Sequence, residues 1–279
     1  MADKKLIDLT KKVQINLAKV TSLKIRAQVG LLDDVSGSAS GMHSNGITQR
    51  LFDRLFAVAF EFDDNATLDA WAFDTGVYEL EPVKESMFGN YVQKYIVGNK
   101  DIRWGGTAFA PGIEAVIDHY YPASQQAIGA AKDAVADVAK VATGLFGKIG
   151  GLFGKKEAAP APTAVAPAVK PAFSPVSAKV KLPDPAFCML VTDGDNGDQS
   201  ETIRILEANK DKQIFFMMIG IKESSYGSSF GNLKQLADRF PNVDWYNAGQ
   251  IDNVDDDVLY SSLFTKKFIT WYENVRKVA

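Results

Sequence analysis

The chain has 279 residues, of which 46% are hydrophobic and 23% charged, as is typical of a globular protein with one large α/β domain or two small ones. Its formal net charge of -3 gives no reason to expect nucleic-acid binding. The only cysteine, Cys188, excludes an internal disulfide, and one cysteine with two histidines argues against a zinc site of nitrogen and sulfur ligands.

The sequence has no pattern for export or membrane insertion. The N-terminal stretch MADKKLIDLTKKVQINLAK lacks an apolar segment of signal-peptide length. No run of about 18 apolar residues occurs, so we expect no transmembrane helix. A lone cysteine suits a reducing compartment.

The first part of the chain alternates between strand-like and helix-like patterns. Short apolar or alternating segments predict strands at 26–33, 66–74 and 76–80. Apolar residues at helical spacing predict helices at 47–63, 86–97 and 111–121. Pro111 falls in the first turn of the last of these helices, where proline is well tolerated.

The second part of the chain continues this alternation. Strands are predicted at 186–194, 213–221 and 243–248, and helices at 200–209, 230–240 and, as one long helix or a pair, 258–278. Strands alternating with helices predict an α/β fold with a doubly wound, mostly parallel, Rossmann-like sheet. In such sheets, ligands bind beyond the carboxyl ends of the strands at the switch point.

An insertion at 122–186 divides this pattern into a first part, 1–121, and a second part, 187–279. Apolar residues alternate at spacings of three and four from 128 to 152, which predicts an amphipathic helix, and a Pro/Ala-rich linker follows. From 122 to 182 there are eight lysines and three acidic residues, so this segment is positive while its host is negative.

Three roles for the insertion stay open. It can be a helix or tether within its own domain, it can associate with a partner helix or with itself, or it can contact a membrane surface. We do not favour membrane contact, because five glycines between 144 and 154 dilute the amphipathic pattern.

Small oxygen-bearing residues fill three loops that should meet at one edge of the sheet. The loops are 34–38, 105–107 and 192–194, with the sequences DVSGS, GGT and TDG. Hard divalent cations such as Mg²⁺ take oxygen ligands of this kind. With few charged ligands the ion would stay electrophilic, and an open position could accept a carboxylate from another molecule.

The residues of these loops resemble the metal-ion-dependent adhesion site of the von Willebrand factor A domain. The family pattern is D-x-S-x-S, then a distant Thr, then a distant Asp in a T-D-G setting, which here are Asp34, Ser36, Ser38, Thr107 and Asp193. The resemblance implies that the hydroxyls contact Mg²⁺ directly or nearly so and that the aspartates do so directly or through water. It also implies that an acidic residue of a protein partner completes the coordination. Ca²⁺ and Mn²⁺ are alternative ions.

The flanking segments are similar to the TerF type of this domain, from the tellurite-resistance group, which is itself similar to the A domains of copines. They include LTKKVQINLAKV, RLFAVAFEFDDNATLDAWAFD, GGTAFAPGI, TDGDNGD and VLYSSLFTKKFITWY. The resemblance covers about 6–121 and 186–276. It implies a cytoplasmic bacterial protein of tellurite or stress resistance, or a phage-encoded relative, that acts as a metal-dependent protein-interaction module.

Several other interpretations compete with this one. The main alternative function is a structural or membrane-associated component that acts through the amphipathic insertion. A metal-assisted hydrolase is a weaker alternative, because the sequence shows no clear general base. The G-x-S-x-G pattern of serine hydrolases and the P-loop pattern are also absent. We therefore expect no enzyme. We expect Asp195 and Asp198 to be solvated turn residues and the acidic run 255–257 to begin a helix.

Overall fold

A six-stranded sheet organises the computed structural model, which describes residues 4–122, 184–223 and 230–278. The strands are β1 (Gln28–Asp34), β2 (Asp69–Phe73), β3 (Val77–Glu79), β4 (Ala186–Thr192), β5 (Ile214–Ile221) and β6 (Val243–Gly249). They are ordered β3-β2-β1-β4-β5-β6, and only β3 runs antiparallel to its neighbour. The predicted α/β fold with a doubly wound, mostly parallel sheet is confirmed.

Helices of the described part of the chain cover both faces of this sheet. They are α1 (Lys4–Ala18), α2 (Ser40–Ser44), α3 (Ile47–Phe62), α4 (Phe109–Tyr120), α5 (Gln199–Ala208), α6 (Gly231–Arg239), α7 (Asp256–Leu263) and α8 (Lys266–Val278). The C-terminal region is therefore a pair of helices. The expected helix at 86–97 forms only in its second half: the segment begins in a 3₁₀ turn, Glu85–Met87, and is helical from 91 to 97, where Gln93–Val97 is π-helical.

The central strands are buried on both faces, which explains their continuous apolar sequences. Every residue of β4 and β5 is buried. Successive side chains of β4 alternate between two cores: Phe187 packs with α1, α3, α7 and α8, whereas Cys188 packs with α4, α5 and α6. Cys188 is thus a core residue, as its apolar surroundings in the sequence indicate.

Helix α1, which is not among the predicted helices, belongs to the first of these cores. Its buried apolar face consists of Leu6, Leu9, Val13 and Leu17. These residues recur at intervals of three and four, so they form one stripe along the helix. Their burial makes α1 an integral part of the fold.

The acidic run 255–257 lies at the start of α7, as predicted. The carboxylate of Asp256 accepts a hydrogen bond from Lys12 Nζ of α1 at 2.7 Å and another from Arg54 Nε of α3 at 2.7 Å. One carboxylate therefore joins three helices on this face of the sheet.

Most of the predicted insertion, 122–186, lies outside the described residues, and with it the amphipathic helix and the linker. The chain reaches this segment at Tyr121, whose hydroxyl accepts a hydrogen bond from the backbone N–H of Gln213 at 3.0 Å. It returns at Pro185, whose carbonyl accepts one from Gln28 at 2.9 Å. Both points lie at the amino-terminal ends of strands. No helix of the described residues is long and apolar enough to cross a membrane.

The order of the strands reverses between β1 and β4. The chain continues from β1 to β2 on one side and from β4 to β5 on the other. The loops that follow these two strands therefore lie at the usual ligand position in open α/β sheets. The predicted loops at 34–38 and 192–194 begin at this switch point.

Candidate metal centre

Asp34 ends β1 as a buried carboxylate, with 2% of the residue exposed. Its Oδ1 accepts a hydrogen bond from the backbone N–H of Ser36 at 2.8 Å, and its Oδ2 accepts one from Thr192 Oγ1 at 2.6 Å. Burial raises the pKa of Asp34 to about 6, although these hydrogen bonds act in the opposite direction. A nearby cation would favour the charged form of such a group.

Ser36, Ser38 and Asp193 form a chain of oxygen atoms beside Asp34. The hydroxyl oxygens of Ser36 and Ser38 lie 3.1 Å apart, and Ser38 Oγ donates to Asp193 Oδ1 at 3.0 Å. Ser36 is buried, Asp193 is half-buried and Ser38 is exposed, so the chain of oxygens runs from the interior to the surface. Burial also raises the pKa of Asp193.

Thr107 is joined to these four residues through the backbone of its loop. The carbonyl of Gly105 accepts a hydrogen bond from the N–H of Gly37 at 2.8 Å, which ties this loop to the first one. The carbonyl of Thr107 accepts one from the N–H of Gly197 at 2.9 Å, which ties it to the segment that directly follows the third loop. The structure thus brings all three predicted loops together at the carboxyl ends of β1 and β4.

The spacing of the oxygens fits a magnesium ion. Neighbouring ligands of an octahedral ion with bonds of 2.0–2.1 Å lie roughly 2.9 Å apart. The distances of 3.1 Å and 3.0 Å that join Ser36, Ser38 and Asp193 are those of hydrogen bonds, and they are also compatible with the edge length of such an octahedron. No cluster of three or more His, Cys, Asp or Glu side chains that could hold a metal occurs among the described residues. A metal here would therefore depend on the hydroxyls, and its binding stays a prediction.

Behind the first loop lies a buried pair that the sequence analysis missed. His43 Nε2 is 2.7 Å from Asp33 Oδ2, His43 Nδ1 is 2.9 Å from the carbonyl of Ala39, and each side chain of the pair is 1% exposed. Burial works to lower the pKa of His43, but the charge and hydrogen bond of Asp33 outweigh it and raise the pKa. The ring also packs edge-on against Trp104, at 5.1 Å between centroids. The sequence contains one sign of this pair. Adjacent residues of a strand face opposite sides of the sheet, so Asp33 and Asp34 cannot point to the same partners.

Asp195 and Asp198 are not merely solvated turn residues, so the expectation for them is wrong. The carboxylate of Asp198 accepts hydrogen bonds from the backbone N–H groups of Phe109 at 3.0 Å and Ala110 at 2.8 Å, in the first turn of α4. Asp195 Oδ1 accepts one from the N–H of Asn232 in α6 at 2.9 Å. A carboxylate at a helix start satisfies free N–H groups and complements the helix dipole. The two aspartates thereby fasten the third loop to two helices.

The sheet order and the loops at its switch point define a von Willebrand factor A domain. More particularly, the chain belongs to the vWA-TerF-like family, described as the vWA domain found in the TerF C terminus, whose model matches residues 26–130 and 155–279. The resemblance inferred from the sequence is confirmed. Domains of the von Willebrand factor A class are generally protein-interaction modules.

The chain is also similar to a protein of Bacillus subtilis (strain 168), "Uncharacterized protein YcbR". The two are 27% identical over 274 residues, which cover 97% of this chain and 88% of the relative. The similarity therefore extends over both parts of the domain and over the segment between them.

Two solved structures share a general likeness with the chain. Proximal thread matrix protein 1 from the mussel byssus has a TM-score of 0.46 and 14% identity, with 88% of this chain and 48% of that chain covered. A von Willebrand factor type A protein from Catenulispora acidiphila has a TM-score of 0.45 and 13% identity, with 88% and 42% covered. The chain spans less than half the length of either.

Proposed function

We propose that this protein is a metal-dependent protein-interaction module. Asp34, Ser36, Ser38, Thr107 and Asp193 would hold Mg²⁺, with Ca²⁺ or Mn²⁺ as alternatives, and an acidic residue of a protein partner would complete the site. The observation that carries this proposal is the convergence of the Ser36, Ser38 and Asp193 oxygens beside the buried carboxylate of Asp34 at the switch point of the sheet.

The chemistry of the five side chains suits capture of an anion. Their two carboxylates balance the charge of one divalent ion, and the three hydroxyls are neutral. When bound, Mg²⁺ would supply a positive position that a partner carboxylate can occupy. Ser38 is exposed and Asp193 is half-buried, so these two residues form the opening through which a partner would reach the site.

We infer that the site binds rather than turns over its partner. Activation of a serine needs a base within hydrogen-bonding distance of its hydroxyl. His43 cannot serve as that base, because both of its ring nitrogens are engaged, by Asp33 and by the carbonyl of Ala39. Asp193, which accepts a hydrogen bond from Ser38, would be committed to the metal. Turnover of an ester or phosphoester substrate by the purified protein with Mg²⁺ would contradict this inference.

The biological setting we propose follows from family membership. A vWA-TerF-like domain suits a cytoplasmic protein of bacterial stress or tellurite resistance, or a phage-encoded relative. The alternative, a structural or membrane-associated component that acts through residues 122–186, makes a different prediction. In that case, loss of the metal site would leave partner capture or membrane contact unchanged.

Calorimetric titration of the chelator-stripped full chain with Mg²⁺, Ca²⁺ and Mn²⁺ tests the proposal. We expect saturable binding by the wild type, none by Asp193→Ala, and wild-type binding by Asp118→Ala, which removes an exposed aspartate of α4. A second titration includes a short polyglutamate peptide, because the partner carboxylate can be needed to complete the coordination. If the wild type binds no metal with or without the peptide, the proposal is wrong.

A further inference from the structure

We propose that Asp74 is a positioning residue of the candidate metal centre, although it is outside the five predicted ligands. In this role it would hold the loop of Thr107 in the conformation that the metal requires. This inference rests on the proposed function, because Thr107 is a ligand that needs positioning only if the site binds a metal.

Asp74 directly follows β2 and is fully buried. Its Oδ1 accepts a hydrogen bond from the N–H of Gly76 at 2.8 Å, while its Oδ2 accepts one from the N–H of Gly105 at 3.0 Å and one from the Tyr78 hydroxyl at 3.1 Å. Burial alone would raise the pKa of Asp74, but these hydrogen bonds, with a smaller contribution from Arg103, lower it. Asp74 is therefore an ionised anchor with three donors directed at it.

The same residue holds the chain on either side of Thr107. Its side chain binds the N–H of Gly105, two residues before Thr107, and its carbonyl accepts the N–H of Ala108, one residue after, at 2.8 Å. A turn at 74–76 would need only the bond to Gly76. The bonds to Gly105 and Ala108 serve a different purpose, because they join the end of β2 to the loop that carries the predicted ligand.

The loop adopts a conformation that needs such support. Trp104 has a φ of 56°, in the left-handed region that non-glycine residues rarely occupy. Strained backbone of this kind persists only where its surroundings impose it, and it is concentrated at functional sites. At Gly105 a side chain would be crowded, since a Cβ atom would lie 3.0 Å from Asp74 Oδ2 and the carboxylate would have to shift slightly. The contact between Asp74 and Gly105 is thus close and leaves the loop little freedom.

The Asp74→Asn variant of the full chain tests the proposal by Mg²⁺ calorimetry. An asparagine would direct its NH₂ group at either Gly76 or Gly105, so one of the two backbone bonds is lost. Loss of a group that orients metal ligands typically weakens metal binding by about 10- to 100-fold, and we expect a loss of that size. Wild-type affinity in Asp74→Asn would overturn the proposal.

The matched control is Asp69→Asn, at the opposite end of β2. Asp69 also accepts a side-chain hydrogen bond, from the Tyr120 hydroxyl at 2.9 Å, but it is remote from the three loops. We expect Asp69→Asn to lower thermal stability and to leave Mg²⁺ affinity unchanged. Equal losses of affinity in both variants would show that the effect is a general consequence of a weakened fold, and would overturn the assignment.

Two further measurements keep the proposal testable if Asp74→Asn does not fold or if the wild type binds no metal. Gly105→Ala adds a methyl group against Asp74 without any change of charge, and we expect it to weaken Mg²⁺ binding as well. Amide hydrogen exchange of the metal-free wild type needs neither metal nor variant: the N–H groups of Gly105 and Ala108 should be protected. If these amides exchange freely, Asp74 does not hold the loop, whereas protected amides in a protein that binds no metal would refute only the proposed function.

Discussion

Two clusters of acidic side chains differ in the groups that bind their carboxylates. At the start of α7, the Asp256 carboxylate is paired with Lys12 and Arg54, and Asp257 Oδ1 accepts a hydrogen bond from Asn16 Nδ2 at 2.7 Å. Burial works to raise the pKa of Asp256, but the two cations outweigh it and lower the pKa. This cluster is complete within the fold, and its role is to join helices.

The cluster at the carboxyl ends of β1 and β4 has a different set of partners. Among the described residues, the hydrogen bonds of Asp34 and Asp193 come from hydroxyl and amide groups rather than from cations. Burial consequently raises the pKa of both carboxyl groups. The difference teaches that a run of acidic residues is a weak sign of a cation site, whereas buried carboxylates surrounded by neutral oxygens are a better one.

The largest expected effect concerns Asp34. The Asp34→Asn variant should lose Mg²⁺ binding, because the amide cannot supply the charge. In the wild type, Mg²⁺ at about 100 times its Kd should stabilise the fold by about 2.7 kcal/mol, and this gain should vanish in the variant. Urea unfolding of the wild type and of the variant, each with and without Mg²⁺, measures this stabilisation. If Mg²⁺ stabilises Asp34→Asn as much as the wild type, Asp34 is not a metal ligand and the proposed difference between the two clusters is wrong.

The second prediction concerns the helix-joining cluster. Asp256→Ala should lower the free energy of unfolding by about 2 kcal/mol, because it leaves Arg54, which is largely buried, without its carboxylate. Mg²⁺ affinity should not change. The control is Asp118→Ala, at an exposed position of α4, which should stay within about 0.5 kcal/mol of the wild type. A drop in Mg²⁺ affinity in Asp256→Ala would mean that the two clusters are coupled.

The third prediction is a dependence on pH. Since the folded pKa of Asp34 is raised from 3.8 to about 6, this group contributes stability to the metal-free protein that is present below the unfolded value and is lost as pH rises through about 6. Mg²⁺ requires the ionised form, so its affinity should fall by about tenfold for each pH unit below about 6. Calorimetry between about pH 5 and pH 7.5 gives the slope, and an affinity that is constant over this range would be inconsistent with Asp34 as a ligand.

The smallest expected effect is that of Tyr78→Phe. It removes one of the three donors to Asp74, and with it the acceptor of two hydrogen bonds from Arg103 at 3.3 Å and 3.1 Å, but leaves the bonds from Gly76 and Gly105 in place. We expect a loss of about 1 kcal/mol in the free energy of unfolding and a smaller loss of Mg²⁺ affinity than in Asp74→Asn. If Tyr78→Phe weakens Mg²⁺ binding as much as Asp74→Asn does, the bond to Gly105 is not the decisive contact.

Much of the fold can be predicted from local sequence. The central strands have continuous apolar runs because both faces are covered, and α3 has a wide apolar face at helical spacing. The segment at 86–97 also has apolar residues but is helical only from 91 to 97. Its position depends on remote contacts, such as the bond from the N–H of Val92 to Gln49 Oε1 at 2.7 Å, and local spacing does not reveal these.

The candidate site likewise has residues that the sequence reveals and residues that only the fold reveals. The five predicted ligands are identifiable because their spacing and residue types match a family pattern. Asp74, Asp198 and the pair of Asp33 with His43 are not, since each works through hydrogen bonds to loops or helices that only the fold brings near. Single aspartates in loops look alike in a sequence, and their partners decide whether they hold a metal, a helix end or a neighbouring loop.

A crystal of the full chain soaked with Mn²⁺ would test the central claim most directly, because anomalous scattering locates the ion. We predict one strong peak within coordination distance of Ser36, Ser38 and Asp193, and none at the acidic run 255–257. A peak at 255–257, or no peak at the switch point in crystals that admit Mn²⁺, would contradict the account.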